Sequence, residues 1–180
     1  MNLRQLGEER LLERILPDLP RNRSVVIGPG DDCAAVEFGR ADQLLLLKTD
    51  CIVEGIHFPP DASAAAVGWK AMARPLSDFA AMAGTPQFAL VTIMTRPATT
   101  MRWMRELYGG LKKAAAAFDV AIVGGETSRT DGPSAISVSV SGAVERSRLV
   151  TRAGGRADDD LFVTGTLGGS ICGKHLRFTP

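Results

Sequence analysis

The 180-residue chain has few cysteines, no surplus of charge of either sign and no long apolar run, and each lack removes a class of protein. Its three cysteines, Cys33, Cys51 and Cys172, are odd in number and form no Cys-x-x-Cys pair, so no disulfide framework is expected. A formal net charge of +1 offers no electrostatic footprint for nucleic acid or an acidic membrane surface. No apolar stretch approaches the ~18 residues that cross a bilayer. The opening segment, MNLRQLGEERLLERIL, is charged throughout and lacks the apolar centre of a signal peptide. Internal repeats and low-complexity tracts are also missing. These lacks together predict a reduced, cytoplasmic protein with no membrane and no nucleic-acid partner.

What is present is globular: 45% of residues are hydrophobic and 23% charged, enough for a sizeable core. Leu3, Leu6, Leu12, Ile15 and Leu16 recur at helical spacing up to Pro17, predicting an amphipathic helix. Strands are expected over residues 24–27, over 43–49 with its four consecutive leucines, over 88–94 and over 120–123, the last ending at Gly124-Gly125. An alanine-rich helix is expected over 61–83, kinked near Arg74 by the internal Pro75. Met101, Met104, Leu107, Tyr108, Leu111, Ala115 and Phe118 mark one face of a second helix, entered at Thr99 or Thr100. Gly109-Gly110 in its middle costs about 2 kcal/mol relative to two alanines and needs a reason in packing or function.

Ile136, Val138 and Val140 alternate with Ser137, Ser139 and Ser141, the pattern of a half-buried strand. The polar stretch 147–160 predicts a boundary between a domain over 1–146 and a second, shorter part over 147–180 that opens with a strand at 161–164. The fold class is α+β (mixed α/β), a mixed sheet with helices on one face.

The acids are distributed in a suggestive way. Asp31 and Asp32 follow the Gly28-Pro29-Gly30 turn, Asp50 closes the leucine strand, Asp78 lies in the first long helix, and Glu126 follows Gly124-Gly125. Carboxylates from separate segments can converge on one edge of a sheet, and oxygen ligands without a Cys/His cluster suit a hard cation such as Mg²⁺. Adjacent side chains in extended backbone point to opposite faces, which leaves one of Asp31 and Asp32 for such a cluster. The alternative is a set of unrelated solvated acids.

The segments GPGDDCAAV, KTDCIVEGIHF, GWKAMARPLSDFAAMAG, VGGETSR and LVTRAGGRADDDLFVTGTLGGS resemble, in order and spacing, the thiamine-monophosphate kinase family, part of the larger aminoimidazole-ribonucleotide-synthetase-like superfamily. The resemblance implies ATP-dependent phosphorylation of thiamine monophosphate to thiamine diphosphate, assisted by several Mg²⁺ ions, in a homodimer whose N-terminal domains pair sheet to sheet. That pairing is expected to bury the Ile136/Val138/Val140 surface. The resemblance also implies metal ligation by Asp32, Thr49, Asp50, Asp78 and Glu126, with Asp50 and Asp78 at the chemistry. Nucleotide contacts are implied for Tyr108, Gly124, Gly125, Glu126 and Arg152, and a substrate contact for His57, which alone reads equally as a satisfied surface histidine.

Relatives in this family are longer, so the chain is expected to hold the N-terminal domain and the start of a second, and to be inactive alone. Three residues depart from the family pattern: Lys48 stands for the usual Ser or Thr, Pro75 for Asn, and Glu126 for Asp. Two rivals remain at this point: another ATP-dependent synthetase or maturation enzyme of the superfamily, and a non-catalytic metal-binding dimerisation module. GGSICGKH, residues 168–175, falls short of a P-loop because His175 stands where Ser or Thr would bind Mg²⁺.

Overall fold

Alternation along one strand sets the architecture. In the computed structural model, which describes residues 7–163 and 165–168, Ile136, Val138, Val140 and Val144 are all buried, while the serines between them are half-exposed. This strand, β6 (Ala135–Glu145), lies inside a six-stranded mixed sheet ordered β1-β2-β3-β6-β4-β5. The others are β1 (Val25–Ile27), β2 (Ala34–Glu37), β3 (Gln43–Val53), β4 (Thr85–Thr95) and β5 (Ala121–Arg129). All neighbours are antiparallel except β4 and β5, which run parallel because helix α3 (Met101–Ala117) carries the chain between them.

Helices α2 (Ala64–Ala81) and α3 cover one face of the sheet, as expected; α1 (Glu8–Ile15) precedes β1. The core lies between layers: Leu44, Leu46 and Ile52 of β3 and Val91 and Ile93 of β4 meet Met72, Leu76 and Phe79 of α2 and Leu107 and Leu111 of α3. Each such side chain contributes roughly 1.5–3 kcal/mol by leaving water. Thr100 caps α3, its hydroxyl accepting from the Trp103 amide at 3.2 Å. α2 runs unbroken through the buried Pro75.

Several expectations change. The Ile136/Val138/Val140 surface is interior, covered by the chain's own helices, so the face left for a second subunit is the opposite one. Strand β2 was not expected, since Ala34-Ala35-Val36-Glu37 is too short and too alanine-rich to announce itself. β3 continues past Thr49 to Val53, and β5 continues through the Gly-Gly pair to Arg129, so Asp50 and Glu126 lie within strands rather than at their ends. Pro17 sits in a 3-10 turn, Leu16–Asp18; Leu3 and Leu6 fall outside the described residues. No strand forms at 161–163, where Leu161 and Phe162 are 94% and 86% exposed. Cys172 and most of the segment 168–175, His175 included, lie outside the described residues.

Candidate functional site

Parity along β3 sorts its residues. Leu44, Leu46, Lys48, Asp50 and Ile52 face the helices, whereas Leu45, Leu47, Thr49 and Cys51 face the open side. Lys48 and Asp50 therefore meet α2, which presents Arg74 and Asp78 one turn apart. The Lys48 ammonium lies 2.5 Å from the Asp78 carboxylate, and the Arg74 guanidinium 3.6 Å from that of Asp50. All four side chains are partly buried, which strengthens these charges. Burial pushes the Asp50 carboxyl up, Lys48 and Arg74 pull it down, and the neighbouring Asp78 carboxylate pushes it up again; the net direction is up. Burial also works against the Lys48 charge, but the Asp78 hydrogen bond and the Asp50 charge outweigh it and hold the ammonium above its usual range.

The turn after β1 adds Asp31 and Asp32. Arg152 contacts both carboxylates with different groups: Asp31 accepts from its amide at 3.2 Å, and Asp32 accepts from its guanidinium. The Arg152 hydrogen bond holds the Asp32 carboxyl below the usual range, although burial acts the other way. Between these acids and α2 sits Cys33, whose thiol is pushed up to about 12 by burial and by the nearby Asp78 charge. Its amide donates to the Met82 sulfur at 2.9 Å, which makes it a packing residue rather than a nucleophile.

The remaining expected ligands lie elsewhere. Thr49 points to the open face, its hydroxyl 3.0 Å from that of Ser139 and 3.4 Å from that of Ser137. Glu126 pairs in register with Thr92, which alternates with the buried Val91 and Ile93. Val123 is an extra residue in β5 opposite the Ala89–Leu90 step of β4 and shifts the phase of β5, so Glu126 lies exposed on the edge strand, accepting from Ser128 at 3.4 Å. Among the described residues no three His, Cys, Asp or Glu side chains converge closely enough to hold a metal ion. The expected set of acids is thus divided: Asp50 with Asp78, Asp32 beside them under Arg152, and Glu126 apart.

Tyr108 does meet the Gly-Gly segment. With Ile122, Gly124, Gly125, Glu126 and Thr127 it lines an open cavity of about 470 Å³ between α3 and β5. Gly125 is required there, since a Cβ would lie 1.8 Å from the Val91 carbonyl oxygen. Gly110 has a different cause from nucleotide approach: it lets α2 cross α3 closely. His57 closes the turn after β3, its Nδ1 accepting from the Val53 amide at 3.0 Å while its carbonyl accepts from Lys70 at 2.6 Å. Arg74 escaped sequence reasoning except as the site of a kink, although its spacing of four from Asp78 placed both on one helix face.

The sequence matches the family model described as AIR synthase related protein, N-terminal domain, over residues 30–144. It is 42% identical to the thiamine-monophosphate kinase of Rhodopirellula baltica over 87% of this chain and 51% of that protein. Against the thiamine-monophosphate kinase of Aquifex aeolicus the identity is 38%, over 98% of this chain and 54% of the relative. A solved structure described as AaThiL complexed with AMPPCP and TMP superposes with a TM-score of 0.87 at 36% identity, covering 98% of this chain and 54% of that one. The chain spans about half the length of the curated relatives it matches.

Proposed function

This chain belongs to the AIR synthase related family through its N-terminal domain, and from that premise we propose that the protein phosphorylates thiamine monophosphate to thiamine diphosphate with ATP. The chain would supply the nucleotide and metal half of the site. Support comes above all from the cavity that joins Tyr108 to Gly124, Gly125 and Glu126, next to a sheet whose acids have only oxygen to offer. The aromatic ring provides a stacking surface, and bare glycine backbone lets a phosphate or ribose come close.

The donor chemistry at Asp50 and Asp78 fits a hard divalent cation, and these two carboxylates would supply oxygen ligands to Mg²⁺, leaving its other positions to water and phosphate oxygens. Bound there, Mg²⁺ supplies charge neutralisation between two polyanions. Arg152, exposed and already bonded to a carboxylate, is suited to hold a phosphate by the same fork. His57 is the proposed contact to thiamine monophosphate. An acceptor phosphate is already largely ionised at pH 7, so the reaction asks no residue to remove a proton. What remains for the protein is to align acceptor and γ-phosphate in line and to keep the developing charge balanced.

The proposed assembly is a homodimer through the open face of the sheet. Leu47, Phe88, Leu90 and Val123 line a shallow cavity of about 600 Å³ there, with Leu90 51% and Val123 57% exposed. No helix of the described residues is long and apolar enough to cross a membrane, and the proposed location is the cytoplasm.

The test is formation of thiamine diphosphate from thiamine monophosphate and ATP by the complete gene product, with and without Mg²⁺. Turnover that needs both substrates and the metal supports the reading. A folded protein that binds ATP yet leaves thiamine monophosphate unchanged overturns it.

A further inference from the structure

The Asp50–Asp78 pair already has its cations. Lys48 sits 2.5 Å from Asp78 and Arg74 3.6 Å from Asp50, so two negative charges face two positive ones. A divalent ion bound at about 2.1 Å to Asp78 would stand within contact distance of the ammonium, where like charges repel strongly in a partly dry site. On its strand face Lys48 lies between Leu46, which packs the core, and Asp50, and its ammonium is held by the charges of Asp78 and Asp50. The stem is flexible, so the ammonium can leave Asp78 if another anion offers itself.

We propose that Lys48 is the resident cation of the Asp50–Asp78 pair, excluding a divalent ion until a polyphosphate draws the ammonium away. The inference rests on the proposed nucleotide and metal site, and adds an order to it: metal and polyphosphate load this pair together, and metal alone loads it poorly.

The test uses Mn²⁺ as probe, its free concentration read by electron paramagnetic resonance on the full chain, with and without a non-hydrolysable ATP analogue. Without the analogue, Lys48→Ser should bind Mn²⁺ about tenfold more tightly than wild type, and Asp78→Asn added to it should abolish the gain. With the analogue, the difference between wild type and Lys48→Ser should narrow. Equal affinity without the analogue, or a gap that the analogue does not change, overturns the proposal. Circular dichroism melts check folding, and Lys48→Met, which keeps the stem and removes the charge, carries the same comparison if the serine variant does not fold. Thiamine diphosphate formation by the wild-type gene product is measured in parallel. Turnover there with unchanged Mn²⁺ affinity in the variants overturns the role of Lys48 alone and leaves the kinase reading standing.

Discussion

Gly68 of α2 and Gly110 of α3 lie against each other's helices: a Cβ on Gly68 would come within 2.0 Å of the Leu107 carbonyl oxygen, and one on Gly110 within 1.9 Å of that of Ala65. This crossing sets how closely α2 and α3 approach one another. Gly110→Ala should destabilise the chain by about 1–3 kcal/mol, since backbone rather than a flexible side chain must give way. Urea denaturation followed by circular dichroism reads the loss. An unchanged midpoint would show that the helices part without cost.

Asp50→Asn separates stability from function. Because burial raises the Asp50 carboxyl above its usual range, ionising it opposes folding as pH rises through that raised value, and the neutral amide escapes this cost. The variant is expected to melt at or above the wild-type temperature at pH 7. Its Mg²⁺-dependent binding of ATP, measured by calorimetry, should fall at least about tenfold. Undiminished binding would remove Asp50 from the site.

Glu54 predicts the opposite pH dependence. Arg96 binds both its carboxylate oxygens, at 2.9 and 2.8 Å, and the Ser134 amide donates at 3.0 Å. The Arg96 hydrogen bonds hold this carboxyl below the usual carboxylate range. Its stabilising effect is therefore complete above that range and is lost as pH falls through the lowered value. Glu54→Gln should cost about 1 kcal/mol at neutral pH, less than a fully buried pair because Arg96 is 43% exposed. The stabilities of the two proteins should converge as pH falls through the lowered value, and a constant gap would assign the effect to packing.

Leu90→Asp tests the open face. A charge there would be solvated in a lone chain but desolvated in a sheet-to-sheet dimer. Sedimentation velocity should show wild type as a dimer at micromolar concentration and the variant as a monomer with an unchanged melting temperature. A monomeric wild type defeats the homodimer proposal.

Much of the fold was legible because periodicity reports burial directly: the leucine strand, the α2 and α3 faces and the alternation in β6 all appear where expected. The sign of that last face did not. Alternation says that one side of β6 is covered, and it cannot say whether a helix of the same chain or a second subunit covers it. The site was legible in its parts and not in its assembly. Asp50 and Asp78 meet because even positions of β3 face α2, a phase set by the leucines before them. Glu126 is thrown out of phase by one extra residue, Val123, in β5 itself, and the apolar run Ala121-Ile122-Val123 gives no sign that its last member is unpaired. The ion pairs were hidden for a similar reason: Lys48 reads as a neighbour of Asp50 along the chain, while its partner Asp78 is thirty positions away.

Strand β3 also constrains how this protein can change length. Its inner positions carry core leucines and then the charged pair, and its outer positions carry the open face, so both properties are written in one reading frame of period two. Losing a single residue between Gln43 and Lys48 would turn Lys48 and Asp50 outward to the proposed partner, and would send Thr49 and Cys51 in against α2. The proposed metal site and the proposed dimer face would fail together, from a deletion that removes neither. Paired insertions and deletions in this strand keep its two faces, whereas single ones are absorbed most easily by the turns at 38–42 and 54–58 that bound it.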